Sequence, residues 1–220
     1  VTLAKDAMTI DHLSGGRLTI GLGAAGLGFD AEVLGQAPLA PGERVDRLAE
    51  ATDLLDRLLR DEPDGADGIG HEGDWYTAVG ARTRPGCVQR PRVPLAVAAG
   101  GRRSIDIAAR YGDAWITYGD ALSPEGERDS PALVREQSER LDARCAEHGR
   151  RPGDVDRIVL NGNDGWRITS SIEAFREAVG VYGELGVTEL VIHHPRADDE
   201  EWNDPVAIID EIAEEFLDPR

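Results

Sequence analysis

An α/β fold built on parallel strands is the class this sequence predicts. Three observations lead there: short apolar runs alternate with helix-patterned segments, the links between them are short, and one strand-to-helix corner carries two glycines. That corner lies in PLAVAAGGRRSIDIAARYGDAWIT, residues 94–117. The buried-strand run 95–99 stops at Gly100 and Gly101, Ser104 stands where it can cap a helix, and a second apolar strand follows at 114–117. Glycine lets the backbone approach a ligand closely, and the free N–H groups at a helix N-terminus attract an anion, phosphate above all. Arg102 and Arg103 add positive charge there. A Gly-Gly turn before a helix also serves as a plain sharp corner, and on the pattern alone both readings stand.

The remaining elements follow in chain order. Residues 3–13 place Leu3, Ala7 and Ile10 at helical spacing and stop at Ser14, Gly15 and Gly16. Residues 17–22 form a short strand that runs into a glycine-rich turn, 23–28. Residues 43–59 repeat Val45, Leu48, Leu55, Leu58 and Leu59 on one face behind Pro41, an amphipathic helix. Asp, Glu and Gly dominate 61–74, which suits an exposed loop; Trp75, Tyr76 and a proline-studded excursion, 85–94, lead to the diglycine corner. After a loop at 122–130, a helix over 131–148 ends at Gly149, and 157–160 is a strand. Ser170-x-x-Glu173 reads as a capping box that opens a helix through Leu185, and 189–193 is the next strand. Asp204 and Pro205 start a last helix with Val206, Ile209, Ile212 and Phe216 on one face. No short internal repeat or low-complexity tail interrupts the pattern, and residues 1–220 read as one domain.

Composition narrows the function. No run approaches the ~20 apolar residues of a membrane span, and the start, Val-Thr-Leu-Ala-Lys followed by Asp6, is not a secretion signal, so a cytoplasmic location is expected. Cys87 and Cys145 read as unreactive structural thiols. The chain has 42 acidic against 24 basic residues, a net charge of -18, and Lys5 is its only lysine. Such a surface repels nucleic acid and anionic membranes. The same acidic, lysine-poor balance resembles that of proteins from salt-loving microbes, in which case added salt should raise the melting temperature by screening self-repulsion.

Several segments resemble, in order, the luciferase-like monooxygenase family: LAKDAMTIDHLSGGRLTIGLGAA (3–25), PGERVDRLAEATDLL (41–55), HEGDWY (71–76), QRPRVPLAVAAGG (89–101), SIDIAARYGDAW (104–115) and FREAVGVYGELGVTELVIH (175–193). The resemblance implies a (β/α)8 TIM-barrel type of fold, and reduced FMN or the deazaflavin coenzyme F420 as cofactor, F420 being favoured. Because residues 3–14 match the helix after the third barrel strand, about five of the eight parallel strands are expected, an incomplete, N-terminally truncated barrel. Its exposed sheet edges imply a homodimer. Two functions are carried: an oxidoreductase that transfers hydride to, or oxygenates, a small organic substrate, and a non-catalytic shortened flavin-binding or structural remnant.

Barrel active sites lie at the C-terminal ends of the strands. Those ends are 21–25, 99–104, 115–118, 161–163 and 193–195. By resemblance, Gly23, Ala24 and Ala25 would lie against the cofactor, and Gly100, Gly101, Arg102, Arg103 and Ser104 would hold its phosphate. Arg102 and Arg103 replace the small residue and proline common in the family; forked hydrogen bonds to phosphate and simple exposure to solvent are both open. His193 and His194 leave the last strand, where alternation lets only one face inward. Trp115 suits core or cofactor-wall packing and Trp75 an anchor for the excursion. His12 and His71 lack ligand-spaced partners, so no metal is expected. No catalytic acid or base is assigned.

Overall fold

The computed structural model describes residues 1–25, 29–60, 68–119, 130–161, 166–200 and 202–217. The chain divides into two compact units, Val1–Trp115 with Arg144–Val155, and Ile116–Ala143 with Asp156–Arg220. The first contains α1 (Thr2–Ser14), β1 (Ile20–Leu22), α2 (Phe29–Val33), α3 (Pro41–Leu59), β2 (Ile69–Glu72), β3 (Thr77–Ala81), β4 (Leu95–Ala98) and α4 (Arg102–Tyr111). Strand β5 (Ala114–Thr117) carries the chain from the first unit into the second, and α5 (Ser130–Glu147) carries it back. The second unit continues with β6 (Asp156–Leu160), α6 (Ile172–Glu184), β7 (Glu189–Val191) and α7 (Ala207–Phe216). The strand order is β1-β4-β5-β6-β7, the five-stranded parallel sheet of an α/β fold, and β2 with β3 forms a separate antiparallel pair.

In the first unit, β1 runs parallel to β4, with Ile20 opposite Leu95, Gly21 opposite Ala96 and Leu22 opposite Val97. Side chains alternate across a strand, so this register gives the pair two unlike faces. Ile20 and Leu22 pack into a core with Leu95, Leu54, Leu55, Leu58, Leu59, Ala4, Ala7 and Met8. The other face carries only Gly21, Gly23, Ala96 and Ala98; a Cβ on Gly21 would meet nothing within 4 Å, and one on Gly23 would meet Ala98 Cβ at 3.6 Å. These residues bring only backbone and methyl groups to the face, with Gly21 and Gly23 exposed and Ala96 buried.

Charged groups buried behind the core fix the excursion before β4. Asp11, fully buried, accepts hydrogen bonds from the backbone N–H of Val88 (2.7 Å) and Gln89 (3.1 Å) and from Gln89 Nε2 (2.9 Å). Arg92, 5 % exposed, donates to Asp56 (2.6 Å), Asp113 (2.5 Å), the Val93 carbonyl (2.9 Å) and the Tyr111 carbonyl (2.6 Å). Asp113 in turn accepts from Leu95 N at 2.8 Å. The start of β4 is thereby tied to α3 and to the end of α4.

In the second unit, β6 and β7 are parallel, with Val159 opposite Leu190. Their core gathers Val134, Val159, Ile168, Phe175, Ala178, Tyr182, Ile208 and Ile212.

Several elements depart from the sequence reading. Residues 69–72 are strand rather than loop, because they pair with 77–81; 61–67, 122–129 and the 26–28 part of the glycine-rich turn lie outside the described residues. On α1 the buried face is Ala4, Ala7, Met8 and Asp11, while Leu3 and Ile10 are exposed, since small residues let the helix sit close to α3. On α7 the buried residues are Ile208 and Ile212, whereas Val206 precedes the helix and is exposed. The N-cap of α6 is Ser171, whose hydroxyl accepts from Ala174 N at 3.1 Å, one residue later than the capping box suggested. Strand β7 ends at Val191, so His193 lies beyond it.

Candidate functional site

Two of the strand tips named from the sequence are neighbours. Gly23, Ala24 and Ala25 leave β1, and Gly100 to Ser104 leave β4, which pairs with β1 in parallel, so both tips emerge at the same end of the first unit.

At the β4 tip, Gly100 and Gly101 are exposed. Gly101 is the N-cap of α4, with extended backbone (φ -91), and a Cβ added there would meet only Ser104 Oγ, at 3.7 Å. Ser104 therefore takes part in the cap from the third helical position rather than as the cap residue itself. It is buried in the first turn, where its hydroxyl donates to the Gly101 carbonyl (3.0 Å) and accepts from Gly101 N (3.2 Å). The carbonyl of Gly101 accepts from Ile105 N at 2.9 Å, while the first-turn N–H groups before it have no acceptor within the helix and give the corner its positive end. Arg102 is exposed. Arg103 lies back on α3, ion-paired with Asp46 and 3.4 Å from the Gly42 carbonyl. Arg102, Arg103 and Arg144 border a hollow of about 250 Å³ whose acidic member, Asp106, accepts from Arg144 Nε (2.8 Å) and His148 Nε2 (2.9 Å). Burial works to raise the Asp106 carboxyl, but these hydrogen bonds and charges outweigh it and hold it below the usual carboxylate range.

At the β1 tip, Gly23, Ala24 and Ala25 line a cavity of about 370 Å³, bordered also by Arg44, Arg47, Leu48 and Ala51 of α3 and by Tyr76. Ala25 has left-handed backbone (φ 57), unique among the described non-glycine residues, and its carbonyl accepts from Arg44 Nη1 at 2.9 Å. That conformation costs an L-residue roughly 1–2 kcal/mol, and the Arg44 hydrogen bond offsets part of it. Arg47 Nε donates to the Tyr76 hydroxyl at 3.0 Å, and its guanidinium carbon sits 5.9 Å from the centre of the Tyr76 ring. Behind the wall, Glu50 accepts from Trp75 N (3.1 Å), Tyr76 N (2.8 Å) and His71 Nε2 (3.0 Å). Arg57 Nη2 donates to His71 Nδ1 at 2.9 Å, and since guanidinium cannot accept, the His71 proton sits on Nε2. Burial pushes Glu50 up; His71 and the two backbone donors push it down further, leaving it below the usual range.

The other candidates hold structural positions. His12 Nε2 donates to the Gly86 carbonyl (3.0 Å), and Trp115, fully buried, donates from Nε1 to the Ala99 carbonyl (2.7 Å). Trp75 is held through its backbone by Glu50, as an anchor of the excursion would be. In the second unit His193 stacks on Trp202 with ring centres 3.9 Å apart, and His194 Nδ1 donates to the Pro195 carbonyl (2.9 Å). Asn161 is buried, with Nδ2 3.4 Å from the Trp166 carbonyl, while 162 and 163 lie outside the described residues. Among the described residues no cluster of three or more metal-type ligands occurs. No helix among them is long and apolar enough to cross a membrane. Sequence reading passed over Arg44, Arg47 and Tyr76; the signal available was the i, i+3 spacing of the two arginines beside Leu48 on the amphipathic helix.

A parallel sheet whose strand tips gather small residues and a helix N-terminus is the arrangement of an α/β barrel-type enzyme fold. Residues 1–162 match the model of the luciferase-like monooxygenase family, and the chain belongs to that family. It is 32% identical over 176 residues to 4-hydroxyprotoasukamycin monooxygenase of Streptomyces nodosus subsp. asukaensis, covering 77% of this chain and 41% of that protein. To the F420-dependent glucose-6-phosphate dehydrogenase of Beutenbergia cavernae it is 26% identical, covering 99% of this chain and 73% of the relative. Among solved structures, an F420-dependent secondary alcohol dehydrogenase in complex with an F420-acetone adduct superposes with a TM-score of 0.69 at 16% identity, covering 87% of this chain and 68% of the other, a likeness of fold. The chain spans 41% to 64% of the length of several curated relatives it matches.

Proposed function

We propose that the first unit binds a flavin-type redox coenzyme, F420 in preference to FMN, for an oxidoreductase acting on a small organic substrate. The observation that carries this reading is the side-by-side placement of two open strand tips, Gly23 to Ala25 and Gly100 to Ser104, at one end of a sheet face stripped of side chains. A planar ring system can lie against the exposed backbone of Gly21 and Gly23 beside Ala98, where larger residues would lift it off the sheet. The exposed backbone of Gly100 and Gly101 and the first-turn amides of α4 suit a phosphate, and the open space at Gly21 and Gly101 fits the group. In this reading Arg103 is turned to α3 rather than to phosphate, and Arg102 is the exposed cation beside the corner. When bound, the coenzyme supplies the hydride-transferring ring; the chain supplies position, a positive backbone terminus and exclusion of water. The relatives named for F420 dependence and for monooxygenation support an oxidoreductase and favour no single substrate.

Fluorescence titration of the purified chain with F420, and separately with FMN, tests the reading. Gly101→Ala adds a methyl group with room for it on the protein side, so the fold should be unchanged while coenzyme affinity falls about tenfold by obstructing the backbone's approach. Unchanged affinity would remove the corner from the site. Binding without turnover of any substrate would favour a coenzyme-binding remnant over an enzyme.

A further inference from the structure

The cavity at the β1 tip differs in charge from the rest of the chain. Acidic residues outnumber basic ones 42 to 24 over the whole sequence, yet this cavity is lined by two arginines, Arg44 and Arg47, and by no aspartate or glutamate among the described residues. Nearly all the remaining lining is aliphatic, and Tyr76 adds a ring.

The three acidic side chains on the neighbouring turns of α3 are each engaged elsewhere. Glu43 accepts from Ala40 N (2.8 Å), Asp46 pairs with Arg103, and Glu50 accepts from His71, Trp75 N and Tyr76 N. None of them pairs with Arg47. Arg44 is committed through Nη1 to the Ala25 carbonyl. Arg47 is held only at Nε, by the Tyr76 hydroxyl, and Glu50 fixes the backbone that carries Tyr76. Arg47 is half-buried and lines the cavity, and its two terminal amino groups have no hydrogen-bond partner among the described residues. A guanidinium anchored at one edge and open at its fork presents two parallel N–H donors, the geometry a carboxylate accepts at both oxygens.

We infer that this cavity binds a small organic anion, a carboxylate with an apolar body, whose carboxylate meets the fork of Arg47 and whose body lies against Leu22, Leu34, Leu48 and Ala51. The volume, about 370 Å³, is at the small end of ligand pockets and suits a compact molecule rather than a macromolecular segment. The inference deepens the proposed function by naming a substrate class, and it rests on that reading only for the word substrate; the anion site itself stands on the cavity's own residues.

Binding of hexanoate and of its uncharged isostere hexanamide to the whole chain, followed by calorimetry or ligand-observed NMR at pH 7 without coenzyme, tests it. Hexanoate should bind about tenfold more tightly than hexanamide, and the preference should shrink as salt is added. Arg47→Gln should abolish the preference, Arg47→Lys should retain part of it, and Tyr76→Phe, which removes the hydroxyl that fixes Arg47, should weaken hexanoate alone. Equal binding of acid and amide, no detectable binding of either at millimolar concentration, or an unaltered preference in Arg47→Gln overturns the inference. Coenzyme titration of the same variant separates the two readings: a loss of coenzyme affinity with hexanoate binding intact would assign Arg47 to the coenzyme and overturn the anion site. A wild-type chain that binds hexanoate selectively but no coenzyme would sink the proposed function and leave the anion site standing.

Discussion

The two ends of β4 are built on opposite principles. Before the strand, Arg92 is buried and makes four donor contacts, to Asp56, Asp113, Val93 and Tyr111, and each carboxylate it meets has a further donor of its own. After the strand, Gly100, Gly101 and Arg102 are exposed, and the first-turn amides of α4 have no acceptor in the helix. The first end is an anchor, and the second is the exposed end to which the proposed function assigns the coenzyme phosphate.

The sharpest way to break this comparison is at the anchor. Arg92→Met would leave Asp56 with only Arg60 and Asp113 with only the Leu95 amide, and removing one member of a buried charge network costs about 3–5 kcal/mol. Urea unfolding should show that loss; a change under about 1 kcal/mol would mean that the network is a surface feature with little energetic weight.

A smaller effect is expected where Asp11 holds the excursion. Asp11→Asn keeps the shape but removes the charge that three N–H donors address, and hydrogen bonds to charged groups contribute about 1.5–3 kcal/mol. Burial alone would raise the Asp11 carboxyl, but the Gln89 side chain and the amides of Gln89 and Val88 outweigh it, so its folded pKa lies below the unfolded value, and Asp56 is lowered likewise by Arg60 and Arg92 against its own burial. For such depressed groups the stabilisation is complete above the unfolded pKa, about 4, and is lost as pH falls through the lower folded value. The melting temperature should hold from neutral pH to about 5 and drop below about 4, with a shallower drop in Asp11→Asn. Parallel acid curves for the two proteins would count against Asp11 as a contributor.

At the open end the expected stability change is the smallest. Gly101→Ala should leave the urea midpoint within about 0.5 kcal/mol of wild type, since the glycine has an ordinary φ and space beside it. A clear destabilisation would show that the corner is as tightly built as the anchor, and the contrast between the two ends would fall.

Much of the fold was legible because it depends on local pattern. The run LAVA, the stop at Gly100, the strand AWIT and the amphipathic repeat of α3 announce themselves through spacing and breakers that act within a few residues. The hairpin of β2 and β3 did not, because the stretch up to residue 74 is rich in Asp, Glu and Gly and its strand character arises from pairing rather than propensity. The buried face of α1 was misread for a related reason: Ala4, Ala7, Met8 and Asp11 pack inward because α3 and the 88–89 backbone lie there, and no period in residues 3–13 reports a carboxylate's distant partners. At the candidate site the glycines at 23, 100 and 101 could be found by residue type, whereas Arg44, Arg47 and Tyr76 meet across as many as 32 positions of sequence.

By itself the sequence determined the alternation of strands and helices, the family likeness, the acidic surface and the small residues at the strand ends, since each is a property of residue type and near neighbours. Only the tertiary structure decided that Arg103 turns to Asp46, that Ser104 sits at the third position of α4 and bonds back to its cap Gly101, and that a cavity lined by Arg44 and Arg47 forms beside Ala25. The physical reason is that hydrogen bonds and ion pairs are directional and short-ranged: which donor meets which acceptor is settled only when the packing of apolar faces has fixed the backbone that carries them.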